Sequence, residues 1–165
     1  MRLTIVKYPE AVLTQPSERV TEFGEDLEAL VRRMAEAMYV AGGVGLAAPQ
    51  LGVSRRVLVI DPSSGEEVNQ LVALVNPRVT WRSPEEVIGP EGCLSMPGAV
   101  LQVVRAVAVD VEYHDTMGNV QTMRFTDFPA RIVQHEIDHL DGVMMVDRVG
   151  RLARALVMKG LGNKR

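Results

Sequence analysis

Three stretches of the chain carry the apolar spacing of helices that pack on a core. In residues 25–41 the apolar positions recur every three or four residues and fall on one face; they are Leu27, Leu30, Val31, Met34, Met38 and Ala41. A second helix is predicted over residues 129–140, with Pro129 suited to its first turn and Gly142 just past its end. A third, basic helix is predicted over residues 147–159.

Between the first two helices the apolar pattern is that of strands. The apolar run within residues 56–61 and the run at 71–75 predict buried strands, separated by a turn at 62–65. Over residues 104–113 apolar side chains alternate with polar ones, which predicts a strand with one solvated face. A turn at 114–119 and a partner strand at 120–125 complete a predicted hairpin.

Composition narrows the class of protein. The 165 residues are enough for one domain with a hydrophobic core and too few for two domains of ordinary size. A net charge of −3 argues against broad binding of DNA or other nucleic acids, and no apolar run reaches the roughly 18 residues of a membrane span. The first residues lack the pattern of a secretory signal, so a cytoplasmic protein is predicted.

His135, Glu136 and His139 form an HExxH pattern on the second predicted helix. At about 100° per residue the two imidazoles lie about 40° apart around the axis, so both can reach one metal ion. Glu136 lies about 60° to 100° from them, beside the ion and placed to take a proton from the attacking water. The pattern predicts metal-assisted hydrolysis; the alternative is an exposed helix with ordinary charges.

A hydrolytic metal site needs a third protein ligand and one open position. Asp141 is poorly placed because it lies about 200° round the helix from His139, and Asp147 is suited to capping the next helix. Cys93, the single cysteine, is the better candidate, since a thiolate with two imidazoles suits zinc or ferrous iron. Two other interpretations of Cys93 stay open: a small buried hydrophobe, or a Cys–His nucleophile, which leaves Glu136 without a role.

Three separated segments together resemble the motifs of the peptide deformylase family. They are residues 43–50 (GVGLAAPQ), 91–95 (EGCLS) and 134–142 (QHEIDHLDG). The resemblance extends from residue 7 to residue 148, which is nearly the whole chain. It implies an α+β fold in which antiparallel β-sheets pack around a central helix carrying the HExxH motif, with a C-terminal helix, and a single catalytic domain spanning residues 1–165.

The resemblance also implies a reaction and the residues that perform it. The reaction is removal of the formyl group from the N-terminal formylmethionine of newly synthesised bacterial or organellar polypeptides. Cys93, His135 and His139 would bind one divalent ion, ferrous iron in this family, with zinc, nickel or cobalt able to replace it. Glu136 would be the general base and acid, and the Gln50 amide and the backbone N–H of Leu94 would bind the oxyanion.

Two competing functions remain at this point. One is an HExxH-type metallopeptidase that cleaves internal peptide bonds. The other is a binding protein with a structural metal site, against which the open coordination position argues.

A methionine side chain needs an apolar pocket beside the metal. Phe128 and Ile132 stand at i and i+4 on the turns before His135 and are predicted to line it with Val44 and Leu94; ordinary core packing is the alternative. Three glycines are predicted to let the substrate backbone pair with the protein as an added strand: Gly43, Gly45 and Gly89.

Other features bear on the surroundings of the site. Asp138 is interpreted as a structural carboxylate paired with Arg105. The chain departs from the family pattern at Asp127, where glycine is usual, and at Ala106, where proline is common. Basic residues of the C-terminal segment could dock on ribosomal RNA, although a solvated helix face is the alternative; they are Arg148, Arg151, Arg154, Lys159, Lys164 and Arg165.

Overall fold

Two antiparallel sheets hold the strands of the protein. The computed structural model describes residues 4–63 and 70–163. The strands are β1 (Gly45–Ala47), β2 (Val57–Ile60), β3 (Val72–Arg82), β4 (Glu86–Cys93), β5 (Met96–Ala106), β6 (Ala108–His114) and β7 (Val120–Thr126). Five of them form one sheet in the order β1-β2-β3-β6-β7, and β4 and β5 form a separate two-stranded sheet.

The structure contains the three helices that the sequence predicts. They are α1 (Glu25–Val40), α2 (Asp127–Leu140) and α3 (Arg151–Asn163), with 3₁₀ turns at Ala11–Leu13, Ala48–Leu51 and Met145–Arg148. Gly142 follows α2 with φ +75°, the left-handed conformation that commonly ends a helix. No helix within the described residues is long and apolar enough to cross a membrane.

Strand β2 is buried on both faces because a helix covers each of them. Leu58 and Ile60 pack in the core under α2, whereas Val57 and Val59 pack in the core under α1. A strand covered on both sides needs apolar side chains at successive positions. This explains the continuous apolar run of β2.

Helix α2 occupies the centre of the fold. All nine residues from Ile132 to Leu140 are buried, which requires neighbours around the whole helix. The five-stranded sheet lies on one side, and β5 also contacts the helix. A third core joins β5 to the 3₁₀ turn at Met145–Arg148 and to α3 through Met96, Met145 and Val157. The α+β class with a central motif helix is thus confirmed.

Several boundaries differ from the predictions. The predicted strand 104–113 is wrong as one element: it breaks at Val107, whose N–H donates to the Glu85 carbonyl and whose carbonyl accepts from the Asp127 N–H, as the chain passes between sheets. The predicted strand 71–75 continues to Arg82. The third helix begins at Arg151, after a 3₁₀ turn. Part of the turn predicted at 62–65 lies outside the described residues.

Candidate metal centre

The end of β4 and one face of α2 bring together three side chains that could hold a metal ion. The ligand atoms of Cys93, His135 and His139 all lie within 4.8 Å of one another. Cys93 Sγ is 3.3 Å from His139 Nε2, and the two histidine Nε2 atoms are 3.2 Å apart. Both histidines are buried. The i, i+4 spacing thus places the two imidazoles side by side, as predicted, and the two-stranded sheet supplies the sulfur.

These distances fit ligands arranged around one ion. Tetrahedral coordination at ordinary bond lengths separates two nitrogens by about 3.3 Å and a sulfur from a nitrogen by about 3.6 Å. The Nδ1 atom of His135 is 2.8 Å from Glu91 Oε1, so Nδ1 carries the proton that it donates to the carboxylate. This leaves Nε2 as the ring atom that would supply a lone pair to a metal, in the usual carboxylate–histidine–metal arrangement. The donor set therefore fits a divalent transition metal.

A buried ionic cluster orients His135. Arg105 donates two hydrogen bonds to Glu91, at 2.8 and 2.9 Å, and one to Asp138 at 2.6 Å. Burial alone would raise the pKa of Glu91, but hydrogen bonds from Arg105 and His135 hold it far below its ordinary value. The predicted Asp138–Arg105 pair is confirmed, and Glu91 is therefore a stable anion.

Two further arginines complete this cluster. Arg131 donates to Glu91 at 2.7 Å, and Arg148 donates to Asp138 at 2.8 and 3.1 Å. Sequence reasoning quoted Glu91 within a motif but assigned it no role. The signal was available, because residues two apart in a strand point to the same side, and Glu91 stands two before Cys93.

Glu136 lies beside the three donor side chains with one oxygen unengaged. Its Oε1 is 3.9 Å from His135 Nε2, and its Oε2 is buried without a hydrogen-bond partner among the described residues. Burial raises the pKa of Glu136 to about 7. A carboxylate that has lost its water in this way is a stronger base, as proton transfer requires.

The Gln50 side chain is held in a defined orientation. Its Oε1 accepts the Ala47 N–H at 2.9 Å, so its amide nitrogen points the other way. That nitrogen donates to Ser95 Oγ at 3.1 Å and lies 3.8 Å from Cys93 Sγ. Ser95 is buried and was missed at the sequence level, since only the folded chain brings it to Gln50.

A cleft of about 480 Å³ opens beside the donors. Four residues predicted for the methionine pocket line it, namely Val44, Leu94, Phe128 and Ile132. Phe128 is 51% exposed, whereas Ile132 is buried and also belongs to the core with Val44. Pocket lining and core packing are therefore combined in Ile132 and Val44.

The three predicted glycines have different surroundings. Gly43 and Gly45 line the cleft, and a Cβ on Gly45 would lie 2.9 Å from Ile132 Cγ2. Gly89 lies outside the cleft lining, and a Cβ there would lie 3.1 Å from the Arg131 guanidinium. Arg131 also donates to the carbonyls of Val87 and Gly89. Gly89 therefore packs against the Arg131 guanidinium, and its pairing with substrate stays a prediction.

The two departures from the family pattern have local explanations. Asp127 begins α2 with φ +56°, a conformation that favours glycine but that aspartate tolerates. The Ala106 N–H donates to Gln134 Oε1 at 3.2 Å, and Gln134 Nε2 donates back to the Ala106 carbonyl at 2.9 Å. Proline would lack this N–H. Alanine at position 106 therefore allows both hydrogen bonds between β5 and the motif helix.

Comparison with known proteins adds independent information. Residues 2–155 match the family model described as polypeptide deformylase. The chain is 47% identical to a peptide deformylase of Acidobacterium capsulatum, over 94% of this chain and 91% of the relative. It is 42% identical to one of Thermodesulfovibrio yellowstonii, over 99% and 98%. The crystal structure of a plant peptide deformylase superposes with a TM-score of 0.95 at 35% identity, covering 99% of this chain and 89% of the other.

Proposed function

The chain belongs to the peptide deformylase family, and from this premise we propose how its site works. It is a metal-dependent hydrolase that removes the formyl group from the N-terminal formylmethionine of newly synthesised polypeptides and releases formate. One observation carries the proposal. Three ligand atoms from Cys93, His135 and His139 converge beside the Glu136 carboxylate, whose Oε1 is 3.9 Å from His135 Nε2, at the wall of an apolar cleft.

Glu136 is the proposed proton carrier. Cys93, His135 and His139 would hold a divalent ion, which would supply the Lewis acidity that acidifies water and polarises a carbonyl. Glu136 accepts a proton as water attacks the formyl carbon, and it returns that proton to the leaving amine. Its burial favours both steps because no bulk water competes for the carboxylate.

Gln50 and Leu94 are the proposed oxyanion donors. The Gln50 amide nitrogen is turned toward Cys93. The amide group is held in this orientation because its oxygen accepts the Ala47 N–H and its nitrogen donates to Ser95 Oγ. Such preorganised donors stabilise charge as it develops on the formyl oxygen, and each is worth about 3 to 4 kcal/mol in other oxyanion holes.

The apolar cleft is the proposed substrate site. Val44, Phe128 and Ile132 would receive the methionine side chain. Gly43, Gly45 and Gly89 would let the substrate backbone pair with the protein as an added strand. The formylated amine carries no charge, which suits a cleft with apolar walls.

We further propose ferrous iron as the native ion, in keeping with the mixed sulfur and nitrogen ligands, with zinc, nickel or cobalt as substitutes. Residues 1–165 are proposed to form one catalytic domain that works in the bacterial cytoplasm or an organelle.

Ribosome docking through α3 would depend on Arg151 and Lys159, which are exposed, because Arg148 and Arg154 already pair with Asp138 and Asp147. Lys164 and Arg165 lie outside the described residues.

An anaerobic assay tests the function and the metal together. Purified protein is incubated with formyl-methionyl-alanyl-serine, formate is quantified, and the metal content of the same sample is measured. We expect formate release in proportion to bound iron. Cleavage of an N-acetylated peptide at internal bonds, without formate release, would instead support the internal metallopeptidase, which the comparisons do not favour.

A further inference from the structure

A bulge in β5 lies between the cleft and a second groove. Cys93 pairs with Met96, yet the preceding residue, Gly92, pairs with Val100. Three residues of β5, Pro97 to Ala99, are therefore inserted between consecutive pairs and project from the ladder. Gly98 in this bulge has φ +80°, which only glycine adopts at little cost.

The groove lies between this bulge and α3. It has a volume of about 250 Å³, and its walls are Pro97–Val100 on one side and Leu156, Val157 and Gly160 on the other. None of these residues is charged. Leu156 and Val100 are 63% and 67% exposed. A ligand that covers exposed apolar side chains removes them from water, which favours binding.

The groove and the cleft share one wall. Residues 97–100 line both of them, so a chain that leaves the cleft over the bulge reaches the groove. An extended peptide advances about 3.3 Å per residue and can therefore cross a bulge of this length within three or four residues.

We propose that this groove, hereafter the α3 groove, binds an apolar side chain of the nascent polypeptide downstream of formylmethionine. The inference rests on the proposed function, since it gives the same substrate a second contact. Its occupant is a residue near positions four to six of the formylated chain. The α3 groove would thus favour formylated chains whose early sequence is apolar beyond the first three residues.

Peptide length and sequence test the proposal. Formate release is measured with formyl-Met-Ala-Ser and with two sets of six-residue peptides that begin with the same three residues. One set has leucine at position four, five or six, and the other has serine at the same position. We expect KM for the best leucine peptide to be about three- to tenfold lower than for its serine partner, with kcat unchanged, because this contact is remote from the reacting bond.

Two leucines of α3 provide a matched pair of variants. Leu156 lines the α3 groove, while Leu152 is one turn away, is 75% exposed and does not line it. Leu156→Asp should abolish the preference for leucine over serine and leave turnover of the three-residue peptide intact. Leu152→Asp should change neither. Normal turnover of the short peptide also shows that each variant is folded.

The outcomes separate this proposal from the proposed function. Equal KM values for the leucine and serine peptides, with normal turnover of the short peptide, would overturn the α3 groove alone. So would loss of the preference in both aspartate variants. Absence of formate release from every peptide would overturn the function and the α3 groove with it. A dimer in sedimentation that Leu156→Asp dissociates, with peptide preference unchanged, would reassign the groove to contact between copies.

Discussion

Ion pairs occur in two regions of this molecule with very different surroundings. Behind the metal centre, Arg105 pairs with Glu91 at 2.8 Å, and both side chains are about 5% exposed. On the outer face of the five-stranded sheet, Arg78 pairs with Glu112 at 3.2 Å, with 69% and 45% exposure. The residue types are the same, and only the surroundings differ.

The difference teaches what a salt bridge is for in each place. Exposed pairs are screened by water and salt and contribute little to stability. A buried pair is hard to justify by stability, because desolvation offsets the attraction, but breaking one partner leaves a costly unpaired charge. The buried cluster is best explained by orientation: it holds Glu91 against His135 Nδ1 and so presents Nε2 to the metal.

The sharpest test of the interior region is Glu136→Gln. The amide keeps the shape of the side chain but cannot carry the proton, so we expect kcat to fall about 100- to 10,000-fold. Metal content should stay at the level of the parent. The matched variant Glu112→Gln, on the outer sheet face, should keep full turnover. Full activity in Glu136→Gln, with formate release measured anaerobically, contradicts the proposed mechanism.

Glu91→Gln asks whether the buried cluster serves the metal. It leaves Arg105 and Arg131 without their shared anion, and we expect a loss of about 3 to 5 kcal/mol in the free energy of unfolding. Metal affinity should fall about 10- to 100-fold because His135 is held less firmly. Urea unfolding and competition with a chelator measure the two effects. Unchanged metal affinity would refute the orienting role.

Gly45→Ala tests packing beside the donors. A Cβ at this position would lie 2.9 Å from Ile132 and 3.0 Å from Glu136 Cγ, so the motif helix must shift. We expect a loss of about 1 to 3 kcal/mol in stability, together with reduced turnover. Gly150→Ala is the control, because a Cβ there has no neighbour within 4 Å. Equal unfolding midpoints for the two variants would show that β1 yields freely.

Glu112→Gln should have the smallest effect on stability. The exposed pair with Arg78 is worth less than about 1 kcal/mol, and its contribution should shrink as salt is added. Urea unfolding at low and high ionic strength measures it. A loss as large as that of Glu91→Gln would remove the distinction between the two regions.

Sequence reasoning succeeded where the signal is local. The helix over 25–41 and the motif helix follow from side chains three and four residues apart, and the structure places them as α1 and α2. It failed at Val107 because the alternating apolar pattern continues while the chain changes sheets. Strand alternation places Glu91 on the same side as Cys93, but the partners of Glu91, Ser95 and Arg131 lie 40 or more positions away, and no local pattern encodes those contacts.

The sequence by itself determined that two imidazoles and a carboxylate share one helix, because a spacing of four residues places side chains on the same face wherever that helix lies. It also determined the family, through three motifs in order. Only the tertiary structure decided that Cys93 reaches the two histidines, that Glu91 orients one of them, and that the cleft and the α3 groove share the β5 bulge. The physical reason is that these relations arise where the two-stranded sheet packs against α2 and α3, and packing between distant elements is set by the whole fold.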